Sequence, residues 1–120
     1  MSKQRDIKIS LFDILECSKN CIEFTKGMDL ELFENDLKTS SAVLHQIMII
    51  GEAVKRLGNE FTSSYHVLPW KEIAGTRDIL IHHYEEADNF VVWNIVVKDL
   101  PSVIVEVEKI LKGLEDGESY

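Results

Sequence analysis

The stretch Phe90-Val91-Val92-Trp93-Asn94-Ile95-Val96-Val97 decides how this chain folds. β-Branched and aromatic residues dominate it, and local propensity alone favours a strand. A strand needs a second strand to satisfy its backbone groups. No other segment of the 120 residues reads as that partner. The stretch therefore reads as helix, with Asp88 ahead of it as N-cap and Pro101 beyond it as a kink or restart.

Working outward, the segments on both sides carry helical periodicity. Downstream, Val103, Val107, Ile110, Leu111 and Leu114 line one stripe of a last helix, and an acidic, frayed tail follows from Glu115 to Tyr120. Upstream, Pro69 suits the first turn of a helix running through Glu72 to Tyr84. Gly58 to Leu68 reads as its connection to a long helix from Thr39 to Leu57. Val43, Ile47, Ile50, Val54 and Leu57 form the spine of that helix, and Ala42, Met48, Ile49 and Ala53 widen it enough for packing on more than one side. Gly51 inside it costs about 1 kcal/mol against alanine, which a close helix–helix approach would offset. Asp29 caps a short helix reaching Leu37. The first helix, Arg5 to Thr25, aligns Ile7, Leu11, Ile14, Leu15, Cys21 and Ile22, and Gly27 stops it. The sum is an all-α, up-down bundle of four to five helices in residues 1–114, with 115–120 as a flexible tail.

Composition bounds the function. Thirteen basic and 21 acidic side chains give a formal net charge of −8, which excludes a broad basic nucleic-acid surface but leaves room for a local phosphate pocket. No signal peptide opens the chain and no apolar run reaches membrane-spanning length, so a cytoplasmic protein is expected. Cys17 and Cys21, four apart on one helix face, read as reduced, buried thiols.

The chemistry concentrates in Thr76-Arg77-Asp78-Ile79-Leu80-Ile81-His82-His83-Tyr84. At about 100° per residue, Ile73, Arg77, Leu80, Ile81 and Tyr84 share a face, so Arg77 sits inside an apolar stripe. A buried guanidinium needs either a structural carboxylate partner or a water-lined cleft that takes an anion. Asp78 and His82 are four apart and adjacent on the helix surface, an arrangement that orients an imidazole but also occurs as an ordinary surface contact. His82 lies about 140° around the helix from Arg77. The two converge only if the helix distorts or if two chains build the cleft. His45, His66 and His83 stand apart, and a metal site from His82, His83, Glu85 and Glu86 is disfavoured because adjacent histidines diverge on a helix.

Arg77-x4-His82-x-Tyr84 matches the RX4HXY motif of HEPN-type toxins similar to HepT. The flanks agree: Ile50-Gly51-Glu52-Ala53-Val54, Trp70-Lys71-Glu72-Ile73-Ala74-Gly75, Val92-Trp93 and Asp99-Leu100-Pro101. The resemblance implies a HEPN bundle that forms a homodimer and places two copies of the motif in one cleft. It implies a metal-independent endoribonuclease toxin, with no cofactor of its own, whose partner is an MNT-type nucleotidyltransferase antitoxin. On that reading Arg77 stabilises charge at phosphorus, His82 moves the proton of an RNA 2′-hydroxyl, and Asp78 orients His82. Lys71 or Lys55 adds to the local grip on RNA. Tyr84 matches the tyrosine that accepts AMP from ATP through the antitoxin, although the residues alone read it as a core or interface aromatic. The alternative is a helical dimer with little nuclease activity that docks the nucleotidyltransferase and presents Tyr84. A bundle binding a metal or small ligand is a third reading.

Overall fold

The computed structural model describes residues 3–65, 68, 70, 73 and 89–117. All regular structure among them is helical, in agreement with the all-α bundle. The elements are α1 (Lys3–Phe24), α2 (Leu30–Glu34), α3 (Leu37–Ser64), α4 (Asn89–Asn94), a π-helical turn (Ile95–Asp99) and α5 (Leu100–Glu115).

α1 packs against both α3 and α5. Leu11, Ile14, Ser18 and Cys21 on α1 are completely buried. Its buried surface is wider than the apolar stripe suggests, because Ser10, Cys17, Ser18 and Thr25 lie inside as well. Small polar side chains hide in such a face without marking it in the sequence: the Thr25 hydroxyl, for example, donates to the Cys21 carbonyl at 2.9 Å and remains satisfied. Ile22, expected on the stripe, is instead 36% exposed.

The short loops are built from side-chain caps. Gly27 turns the chain at φ 78°, and the Asp29 carboxylate accepts from the Leu32 amide at 2.9 Å, as the sequence predicts. α2 stops earlier than expected. The side chain of Asn35 donates to the Glu31 carbonyl at 2.9 Å, and Asp36 becomes the N-cap of α3 by accepting from the amide and the hydroxyl of Thr39 at 3.0 and 2.8 Å. The long helix thus begins at Leu37 rather than Thr39. Its spine residues Val43, Ile47, Ile50, Val54 and Leu57 are all buried, and so is Gly51. Gly51 is thus covered by the chain's own residues.

The segment expected to be helical against its propensity is helical. Val92 and Val96 face the core, whereas Phe90, Val91 and Val97 are exposed. The amide of Leu100 bonds to the carbonyl of Ile95, one residue wider than an α-turn. This wider turn lies immediately ahead of Pro101, whose ring cannot sit against the carbonyl four residues back. The backbone stays right-handed helical at Asn94, Asp99 and Leu100, so Pro101 restarts the helix without breaking its path. α5 buries Leu100, Val103, Val107, Ile110, Leu111 and Leu114. It includes Glu115 and closes where Gly117, at φ 88°, donates to the Leu114 carbonyl at 3.2 Å. No helix among the described residues is long and apolar enough to cross a membrane.

Candidate active site

The residues singled out for chemistry (Arg77, Asp78, His82 and Tyr84) lie outside the described residues, as do Lys71, His66, His83, Glu85, Glu86 and Asp88. What the structure describes is the frame on either side of them.

The upstream frame begins at Gly58. The sequence reads this glycine as the end of the long helix, and its backbone does leave helical geometry, at φ 82° and ψ 161°. The helix resumes at once over 59–64, so the expected connection from Gly58 to Leu68 contains a helical stretch of its own. The resumed stretch carries Phe61, which is 1% exposed. Phe61 packs on Tyr65 with ring centroids 4.8 Å apart and meets Trp70 edge-on at 6.4 Å. The indole N–H of Trp70 donates to the Tyr65 carbonyl at 2.7 Å. That carbonyl stands at the end of a helix, where it has no donor from the helix itself. Leu68, Trp70 and Ile73 are all buried. Arg77 follows Ile73 by four positions.

The downstream frame is α4. Trp93 packs on Phe33 of α2 with centroids 5.3 Å apart and planes inclined at 44°, and Val92 beside it is buried. Among the described residues, Trp70 ahead of the motif is buried and Trp93 after it is half-buried against the core. Each of these tryptophans belongs to the flanking patterns that carry the family resemblance.

Some charged side chains among the described residues form ion pairs. Arg56, half of the longest basic run, pairs with Asp13 at 2.6 Å, and its Nε donates to the Ser10 hydroxyl at 3.3 Å. Lys19 pairs with Glu108 and Lys109 with Glu106, each at 3.5 Å. The Arg56–Asp13 pair joins positions 43 apart, and nothing in the sequence signals it. A shallow cavity of about 360 Å³ beside it is lined by Asp6, Ile9, Ser10 and Arg56. A second groove of about 410 Å³ runs between the end of α1 and the π-helical turn, with Ile22, Met28, Trp93, Val97 and Pro101 in its walls.

Cys17 and Cys21 are free and buried. Burial pushes the Cys21 thiol up to about 12, with a smaller push from Cys17, and burial followed by the charges of Asp13 and Glu16 raises Cys17. Neither is a nucleophile at neutral pH. Among the described residues no three His, Cys, Asp or Glu side chains converge as a metal site.

The helical bundle and the tryptophan-flanked motif define a chain of the HEPN type. Residues 14–110 match the family described as Ribonuclease HepT-like, and the chain belongs to that family. It is similar to "Putative RNase MJ0127" of Methanocaldococcus jannaschii, with 42% identity over 93% of each chain. It is also similar to "Putative RNase MJ1380" of the same organism, with 44% identity over 90% of this chain and 98% of the relative. "Probable ribonuclease HepT" of Thermococcus cleftensis is 40% identical over 91% of this chain and 99% of its own length. No solved structure gives a significant match.

Proposed function

We propose that the chain is an endoribonuclease whose catalytic groups are Arg77 and His82, with Asp78 orienting His82. The observation that carries this reading is the family match over residues 14–110, which spans the whole Arg77-x4-His82-x-Tyr84 motif. In the reaction the RNA 2′-oxygen attacks the adjacent phosphorus in line, and the bond to the 5′-oxygen breaks. His82 either takes the 2′-hydroxyl proton or protonates the departing 5′-oxygen. Arg77 stabilises the charge that builds on the phosphoryl oxygens. The products are a 2′,3′-cyclic phosphate end and a 5′-hydroxyl end. The step consumes no water and uses no cofactor or metal. Two protomers supply the two copies of the motif, which overcomes the angular separation of Arg77 and His82 on one helix.

The chain acts in the cytoplasm as the toxin of a two-component module, and an MNT-type nucleotidyltransferase is its antitoxin. The antitoxin transfers AMP from ATP to the Tyr84 hydroxyl with release of pyrophosphate. An anionic adduct two residues from His82 fills the cleft and repels RNA phosphate. Intact-mass measurement after incubation with the nucleotidyltransferase and ATP gives the added mass of one AMP on the wild type and none on Tyr84→Phe. A gain that survives in Tyr84→Phe places the modification elsewhere.

The net charge of −8 and the pairing of Arg56 with Asp13 favour a second reading, a docking partner and AMP acceptor with little nuclease activity. Expression alone and together with the nucleotidyltransferase, followed by RNA end-mapping, separates the two. The nuclease arrests growth and leaves cyclic phosphate ends when expressed alone; the docking partner does neither.

A further inference from the structure

We propose that the groove between the end of α1 and the π-helical turn is a docking surface for an amphipathic helix of another protein, one of positive net charge whose apolar ridge is flanked by an acid and a base. The proposal goes beyond the ribonuclease reading and does not depend on it.

The shape of the groove argues for a helix. It holds about 410 Å³, and Trp93, Val97 and Pro101, each four residues from the next, line it together with Ile22 and Met28. Val97 is 44% exposed and Ile22 36%. Side chains four apart form the ridges by which helices pack, and the hollow beside such a row takes the ridge of a neighbouring helix. Val105, four residues beyond Pro101 on α5, is 50% exposed, so the apolar row runs on past the groove. From Trp93 to Val105 the row extends about 18 Å. That length suits a helix of about three turns and exceeds what a compact small molecule covers.

Charge specifies the partner. Glu23 and Lys26 also line the groove, and both are exposed. Neither has an ion-pair partner among the described residues, whereas Lys19, Arg56 and Lys109 each hold a carboxylate. A helix lying in the groove meets these two charges about one turn apart, so it matches them with a base against Glu23 and an acid against Lys26. At long range the net charge of −8 attracts a partner of positive net charge. Two copies of this chain repel each other by the same charge. A two-fold contact centred here would also set hollow against hollow and leave both unfilled.

The probes are two hydrocarbon-stapled helical peptides with leucine at i, i+4 and i+8 and lysines on the outer face. Each carries a glutamate and a lysine one turn apart beside the leucines, in opposite order in the two peptides. Binding to the full chain is read by NMR from the two tryptophan indole N–H signals. Trp93 lines the groove and Trp70 packs on Phe61, so the Trp93 signal moves on titration and the Trp70 signal stays. Val97→Asp, at an exposed position that keeps the wild-type melt, weakens binding by about tenfold or more. The wild type prefers one peptide by about threefold or more, and a chain carrying both Glu23→Lys and Lys26→Glu prefers the other. Failure of both peptides to bind, or binding indifferent to Val97→Asp, overturns the docking surface. A preference that does not reverse in the double variant overturns the charge matching and with it the stated partner. Self-association of the wild type without peptide, seen by sedimentation and abolished by Val97→Asp, makes a second copy the occupant and overturns the proposal as well.

Discussion

Phe33 of α2 and Trp93 of α4 face each other at 5.3 Å with their planes inclined at 44°, and this contact joins the five-residue α2 to the segment that follows the motif. Phe33 is the buried residue of α2 and has no exposed surface. Its loss leaves a cavity under Trp93 and takes the apolar anchor from α2. Phe33→Ala lowers the unfolding free energy by about 3–5 kcal/mol, read from denaturant melts. A change under about 1 kcal/mol would mean that Trp93 refills the space by repacking.

Gly58→Ala tests the bend as a matter of backbone strain. Since the new methyl meets no neighbour, crowding contributes nothing. The cost is that of a side-chain-bearing residue at φ 82° and ψ 161°, about 1–3 kcal/mol. Thermal melts give the size. A neutral substitution would show that the helix can run straight through position 58, removing the reason for a glycine there.

The buried thiol of Cys21 makes the fold sensitive to alkali. Its folded pKa of about 12 lies above the ordinary 9.0, so above pH 9 the unfolded chain loses a proton that the folded chain keeps. The stabilising contribution is complete below pH 9 and is lost as pH rises from 9 toward 12, at up to about 1.4 kcal/mol per pH unit. Cys21→Ala flattens that part of the stability profile. Consistently, a thiol reagent at pH 8 labels Cys21 only at the rate of unfolding. Rapid labelling of the native chain would contradict the burial.

The fold was legible because its signals are local and repeated. The spine of α3 from Val43 to Leu57 and the stripe of α5 follow helical periodicity, and both are buried as read. The Phe90–Val97 segment was decided by the lack of a pairing strand, a global argument that outweighed local β-propensity. Helix boundaries were less legible, because Asp36 competes with Thr39 for the start of α3 and only the hydrogen bonds at 3.0 and 2.8 Å show that Asp36 takes the cap. The helical stretch after Gly58 went unread because a glycine that stops one helix does not reveal that another begins one residue later. Contacts between distant positions, such as Arg56 with Asp13, leave no periodic trace at all. The candidate site is legible only as the motif Arg77-x4-His82-x-Tyr84, which lies outside the described residues; Trp70 and Trp93 are legible in the patterns flanking it, and only their packing on Phe61 and Phe33 needed the structure.

Cleavage of a defined RNA by purified wild type, Arg77→Ala and His82→Ala, with product ends mapped, tests the central claim most directly. Wild-type protein should leave 2′,3′-cyclic phosphate and 5′-hydroxyl ends, and each variant should lose cleavage by about a hundredfold or more while keeping the wild-type melt and assembly state. Cleavage retained in both variants, or ends of a different chemistry, would contradict the account.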